Sequence, residues 1–397
     1  MKTKLNLFWF RRDLRLIDNH GLYEALQSEL PVLPIFIFDT NILEKLENKE
    51  DKRVDFIFQA LEKLNEYLEK QGKSIQIFYG KPLEIYENLS QQYEIGNVFC
   101  NEDYEPYAIK RDQEIKDFLA SKNINFYQLK DQVIFQKDEI VKADGKPYTV
   151  YTPYSRQWLL KFNDQNLEFF ASEKKLDNLL NIEKHNITLE HIGFKKTNYL
   201  FESPKINLEI LEKYHETRNL PTKETSQMSV HLRFGTISAR KLVKLASELN
   251  DNTYLKELIW REFFMQILWH FPKVVHHSFK EKYDNIAWEN NEELFQKWCE
   301  GKTGYPIVDA GMRELNETGL MHNRVRMVCA SFLTKHLLTD WRIGEAYFAE
   351  KLMDYDLSAN NGNWQWAAGC GCDAAPYFRV FNPDEQTKKF DKDLKYI

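Results

Sequence analysis

Residues 30–39 read LPVLPIFIFD. A strand with one wet face alternates apolar and polar residues, so a run this continuously apolar fits a strand buried on both faces. Four other runs have the same character: KLNLFWF (4–10), SIQIFYG (74–80), IGNVFCN (95–101) and INFYQLK (124–130). Stretches of helical period lie between them, such as VDFIFQALEKLNEYLEKQ (54–71). Strand and helix therefore alternate, which predicts a parallel sheet in a doubly wound α/β domain over residues 1–130. The first strand-to-helix turn, FRRDLRLIDNHGL (10–22), has no G-x-G-x-x-G run, so the usual dinucleotide fingerprint is excluded.

Beyond residue 130 the strand signal fades. Residues 131–203 carry polar runs such as KADGKPYTVYTPYSRQW (142–158) and read as an interdomain connector. From 204 to 397 long amphipathic helices take over, including SARKLVKLASEL, YLKELIWREFFMQILWHF, PIVDAGMRELNETG and NRVRMVCASFLTKHLL. The expected architecture is α/β followed by an all-α domain.

The 397 residues, 43% of them hydrophobic, are enough to bury a large core in two domains or three. No apolar run reaches the length of a membrane span, and the opening MKTKLNLFWFRRDLRL turns charged too early for a signal peptide, so a cytoplasmic protein is expected. Five cysteines, an odd number with no partner pair at zinc spacing, read as reduced and structural. A net charge of -6 excludes a protein that coats nucleic acid and confines any DNA contact to a local patch.

Seven of the nine tryptophans fall between residues 260 and 366. Clustered aromatics in a helical domain are usually core, and their company is what changes the reading. In LKELIWREFF (255–264), Glu257, Trp260, Arg261 and Phe264 share one helix face, while Leu255, Leu258, Ile259 and Leu268 serve for packing. In MHNRVRMVCASF (321–332), Asn323, Arg326 and Met327 form a second mixed face. Charged groups are rarely buried without partners, so these faces either meet solvent or line a polar cavity, and a cavity lined in this way by aromatics, amides and paired charges suits a large heteroaromatic ligand. KETSQMSVHLRFG (223–235) offers Thr225, Ser226, Ser229 and backbone N–H groups ahead of a helix expected near Ser238, either to cradle a pyrophosphate or as an ordinary cap.

Together these strings carry a resemblance. LFWFRRDLRLIDNHGL (7–22), KPYTVYTPYSRQW (146–158), GKTGYPIVDAGMRELNETGLMHNRVRMVCASFL (301–333) and LMDYDLSANNGNWQWAAGCGCDAAPYFRVFNP (352–383) resemble the photolyase/cryptochrome family over essentially the whole chain. The resemblance is to class I cyclobutane pyrimidine dimer photolyases above other members. It implies an N-terminal antenna domain and a C-terminal helical domain holding FAD. By match to the family motif, Tyr214 and the loop Thr225, Ser226, Gln227, Met228 and Ser229 hold the FAD phosphates and ribityl chain. Asp354, Tyr355 and Asp356 lie along the flavin, Arg326 pairs with Asp354, and Asn360 faces flavin N5. An amide there tolerates both protonation states of N5, because it can donate or accept.

The resemblance further implies an electron-transfer chain of Trp364, Trp341 and Trp288. Glu257, Asn323 and Met327 meet a flipped-out dimer, with Trp260 and Trp366 stacking on the damaged bases and Arg261 beside them. Six-four photolyases resemble HHLARH where this chain has HNRVRM, and neither Asn323 nor Met327 can act as an acid, which favours the dimer as lesion. Arg218, Arg324 and Arg379 match positions that contact the DNA backbone, or stand as surface arginines in ion pairs. Glu105 matches a folate-contacting residue, and the antenna stays open among methenyltetrahydrofolate, a deazaflavin, FMN or none. UV-damaged DNA is the expected partner of a monomeric chain. The rival readings are a blue-light photoreceptor of the cryptochrome type, DASH members included, and a dark flavin oxidoreductase.

Overall fold

The computed structural model describes residues 2–397. They form two compact units: one of residues up to Ile134 with Leu167–Lys205 and His231–Leu242, the other of Phe135–Asn166, Ile206–Val230 and Val243–Ile397. The stretch 131–203 read as a connector is thus divided, 131–134 and 167–203 belonging to the first unit and 135–166 to the second.

The first unit holds five strands, β1 (Lys4–Phe10), β2 (Val32–Asp39), β3 (Gln76–Gly80), β4 (Glu94–Asn101) and β5 (Asn125–Leu129). They lie in the order β3-β2-β1-β4-β5, and every pairing is parallel. All eight residues of β2 are buried, which is why its sequence shows no alternation. Parallel neighbours require long crossovers, supplied by α1 (His20–Gln27), α2 (Lys52–Glu69), α3 (Pro82–Gln92) and α4 (Pro106–Ser121). Asn19 and Asp51 cap α1 and α2, while proline opens α3 and α4, where its missing N–H costs nothing.

One buried carboxylate in this unit is held by two arginines. Asp131 accepts from Arg15 at 2.7 Å and from Arg240 at 2.8 Å, and although burial opposes ionisation, these guanidinium groups hold its carboxyl well below the usual range. Gly235 has φ +65, and a Cβ there would lie 2.0 Å from the carbonyl oxygen of Arg12, so the close approach requires glycine.

In order along the chain, further helices that bear on the site are α5 (Tyr151–Asn163), α6 (Met228–Phe234), α7 (Ala239–Ser247), α8 (Thr253–His270), α9 (Pro306–Thr318), α10 (Asn323–Lys335), α11 (Trp341–Lys351) and α12 (Leu357–Ala368). The second unit packs around one aromatic cluster, in which Trp298, Trp341 and Trp364 are buried with Val325, Cys329 and Leu333, and Trp288 rests against its edge. Glu262 of α8 is 3% exposed and ties the unit together, accepting from the backbone N–H of Phe135 at 3.0 Å and the indole of Trp158 at 2.6 Å. No helix among the described residues is long and apolar enough to cross a membrane. The thiols of Cys100, Cys299, Cys329, Cys370 and Cys372 are unbonded to one another.

Candidate active site

The helix face expected in LKELIWREFF exists on α8, with Glu257, Trp260 and Arg261 partly exposed and Phe264 buried. Glu257 Oε1 meets Arg218 Nη1 at 2.6 Å. Burial raises the Glu257 carboxyl above its ordinary range, although the arginine opposes the rise. Arg218, expected to face the DNA backbone, is therefore occupied by the carboxylate expected to face the lesion. Trp260 lies flat on Tyr151, ring centroids 3.6 Å apart and planes 5° from parallel. Tyr151 is fixed in turn by its hydroxyl, which donates to the carbonyl of Lys256 at 2.8 Å.

On α10, Asn323 is exposed and its amide approaches Met327 Sδ at 3.9 Å. His322 caps this helix by accepting from the N–H of Arg324, and burial together with the charges of Arg326 and Arg324 pushes its imidazole down to about 4. Arg324 is half-buried: its Nη2 donates to Asn219 Oδ1 at 2.7 Å and its guanidinium lies 4.4 Å from the ring of Phe390. Arg379 is exposed. Arg326 donates from Nε to the carbonyl of Met321 at 2.8 Å and from Nη2 to Asp354 Oδ2 at 2.9 Å.

The stretch DYDLSANNGNWQWAA, which carries almost no aliphatic residues, is largely the helix α12. Asp356 caps it, accepting from the N–H of Ala359 at 3.2 Å and from the hydroxyl of Ser358. Asn360 is buried, and its Nδ2 donates to Glu345 Oε1 at 2.8 Å and to the Glu345 carbonyl at 3.1 Å. Two acceptors fix which end of the amide is which, so Oδ1 is the end left for a ligand. Burial raises the carboxyl of Glu345, and the amide hydrogen bond offsets part of that rise. Nothing in the sequence periodicity marks Glu345, Tyr151 or Asn219 as site residues. Tyr355 is half-buried against the aromatic core, and Trp366 is half-buried with Phe381 at 6.4 Å.

The segment 223–235 corrects one expectation. The helix placed near Ser238 is α7, but α6 already begins at Met228, so Met228 and Ser229 stand in its first turn and the free loop is shorter than expected. Ser226 Oγ accepts from the Tyr254 hydroxyl at 3.3 Å, and Thr225 is half-buried. Gln227 is exposed with φ 52, a left-handed backbone uncommon outside glycine. Tyr214 packs edge-on against Tyr254 at 5.2 Å.

Trp341 and Trp364 share the buried cluster with Trp298, and Trp288 packs on it. Trp298, outside the expected electron-transfer chain, stands 6.2 Å from Trp364 and donates its indole N–H to the carbonyl of Cys329 at 3.2 Å. In the other unit Glu105 is committed to Arg12 and Arg233, both at 2.9 Å.

One observation bears on a cofactor: Asp354 Oδ1 is buried with no hydrogen-bond partner. A carboxylate oxygen out of water needs a donor, and a flavin ring, with its own N–H, is such a donor. Residues 254–397 match the family model described as the FAD binding domain of DNA photolyase, and residues 6–172 match that of DNA photolyase. A deoxyribodipyrimidine photo-lyase of Synechococcus sp. is 35% identical over 427 residues, spanning 98% of this chain and 86% of that protein.

The chain belongs to the DNA photolyase family.

The deoxyribodipyrimidine photo-lyase of Escherichia coli is likewise 35% identical over 417 residues, spanning 99% of this chain and 88% of the other. Among solved structures, a class III photolyase of Agrobacterium tumefaciens aligns with TM-score 0.82 at 31% identity, covering 100% of this chain and 86% of that one. A cryptochrome of Synechocystis sp. aligns with TM-score 0.85 at 26% identity, covering 100% and 88%. The family's cofactor is FAD, and the donor set around Asp354, Arg326 and Asn360 fits a flavin.

Proposed function

We propose that this protein repairs UV-damaged DNA in light, splitting cyclobutane pyrimidine dimers that it draws out of the duplex. The observation that carries this reading is the pair on α8: a carboxyl group raised by burial and, one turn on, an indole stacked in place, both partly exposed. A dimer offers that pair carbonyl oxygens for a hydrogen-bond donor and flat bases for stacking. It is also poorly stacked in DNA, so extrusion costs less than for an intact base.

When bound, FAD in its reduced form supplies, on excitation, the electron that opens the cyclobutane ring and recovers it afterwards. The other roles belong to the chain. Arg326, Asp354, Tyr355, Asp356 and Asn360 would hold the flavin, and Tyr214 with Thr225, Ser226, Gln227, Met228 and Ser229 the phosphates and ribityl chain. Glu257, Asn323 and Met327 orient the lesion, and Trp260 and Trp366 stack on its bases, with Arg261 alongside. Arg218, Arg324 and Arg379 meet DNA phosphates. Trp288, Trp341 and Trp364 relay electrons from the surface; Trp341 Nε1 is buried without a hydrogen-bond partner, so an oxidised indole there keeps its proton. Glu105, already held by two arginines, belongs to any antenna site.

The test is repair of a duplex oligonucleotide containing one thymine dimer by photoreduced protein, illuminated and dark. Light-dependent loss of the dimer is expected. No repair by protein whose FAD is bound and reducible would overturn the reading in favour of light sensing, the role suggested by the likeness to the Synechocystis cryptochrome.

A further inference from the structure

While it is paired with Arg218, Glu257 offers the dimer no donor. A carboxylate is an acceptor only, and the carbonyl oxygens of a pyrimidine are acceptors too. The pair joins residues 39 positions apart, and both side chains keep partial exposure, 30% and 28%. It is therefore close enough to solvent to open.

What surrounds it gives the pair a direction in which to open. The guanidinium of Arg218 stands 5.8 Å from the Tyr214 ring, and the next residue, Asn219, holds Arg324. The charge of Arg218, after burial, lowers the proton affinity of Arg324, so the two cations repel. An anion placed between them would relieve the repulsion, and a DNA phosphate is such an anion. Around Glu257 the other facing groups are the phenols of Tyr151 and Tyr214, neutral at physiological pH and raised further by burial, and Arg261 one turn along α8. Those three are present whether or not DNA is bound, so the change is set by Arg218.

Building on the dimer-repair reading, we propose that Arg218 is a phosphate-operated latch: DNA draws it off Glu257, which then takes one proton from solvent and donates the new O–H to a dimer carbonyl. The step moves one proton from water to a carboxylate and exchanges one ion pair for another, with no change of oxidation state. The loss of a guanidinium held at 2.6 Å removes what opposes the effect of burial, so the carboxyl moves further upward. The latch also explains how the free protein tolerates a carboxylate at this half-buried place: it carries its own counter-ion until the substrate's phosphate replaces it.

The experiment is calorimetric titration in the dark of FAD-loaded protein with a thymine-dimer duplex, in two buffers of different ionisation enthalpy, at pH 7. Net uptake of up to ~1 proton per complex is expected for the unaltered protein. Glu257→Gln should bind with no uptake, and Arg218→Gln should bind more weakly with uptake reduced, because its Glu257 already carries the proton. Dimer-specific binding without proton uptake, or uptake unchanged in Glu257→Gln, would overturn the latch and leave the repair reading standing. Equal affinity for damaged and undamaged duplex would overturn both.

Discussion

Asn360 donates its side-chain amide to Glu345, 2.8 Å to the carboxylate and 3.1 Å to the carbonyl of the same residue. One residue thus sets the polarity of the amide that the flavin is expected to meet. Glu345→Gln replaces the carboxylate acceptor with an amide, leaving the backbone carbonyl of residue 345 as the acceptor that still holds Nδ2. A charge-assisted hydrogen bond becomes a neutral one, a difference of about 1 kcal/mol or roughly fivefold in rate. FAD should stay bound while its visible bands and its rate of light-driven reduction change. Identical spectra and rates in the variant would show that Glu345 does not govern Asn360.

Gly344 of α11 lies under Trp364 of α12, and a Cβ there would be 2.3 Å from Cη2 of the indole and 2.4 Å from Leu333 Cδ2. Gly344→Ala must move one of them, and overpacking of this kind costs about 1–3 kcal/mol. Thermal melting should report the loss, and slower photoreduction should report the displaced indole. A variant as stable as the parent, with unchanged photoreduction, would mean that α11 and α12 slide apart freely.

Glu262 is a buried carboxylate satisfied by a backbone N–H and an indole N–H. Glu262→Ala orphans both donors, each of which costs about 1–3 kcal/mol when left dry. Chemical denaturation should show a lower midpoint with the transition slope retained. A neutral result would require water to enter and replace the carboxylate.

Two histidines make stability depend on pH. Burial lowers His231 to about 4, and burial with two neighbouring arginines does the same for His322. Their folded values lie below the unfolded value of about 6.5, so the unfolded chain binds more protons between those limits. Stability is therefore full above about pH 6.5 and falls towards pH 4, by at most about 1.4 kcal/mol per pH unit per histidine. Denaturation midpoints taken across this range should show the slope, and His231→Gln with His322→Gln should flatten it. A slope that persists in the double variant would place the titrating groups elsewhere.

The strands β1 and β2 were legible because burial on both faces leaves an unbroken apolar run, whereas the edge strands β3 and β5, expected to be buried in the same way, are only partly covered. The face of α8 was legible because Glu257, Trp260 and Arg261 repeat at helical spacing. The helix α12 left no such pattern: it is buried on most sides, and its amides are used inward, with Asn361 and Gln365 both donating to the carbonyl of Val274. The early start of α6 was hidden because its hydroxyl-rich lead-in reads equally as loop. Pairs such as Arg218 with Glu257 and Asn360 with Glu345 join separate segments, and a polar contact of that kind has no periodic signature in sequence.

The stacking of Trp260 on Tyr151 has a consequence for how tightly a guest is held. With one face of the indole covered at 3.6 Å and the phenol anchored by its hydroxyl, the rotamer is settled when the chain folds. On the proposed reading an arriving base would find a rigid shelf, and association would spare the roughly 0.5–1.5 kcal/mol that freezing such a side chain would take. Tyr151, without touching the guest, would on that reading lengthen its residence time.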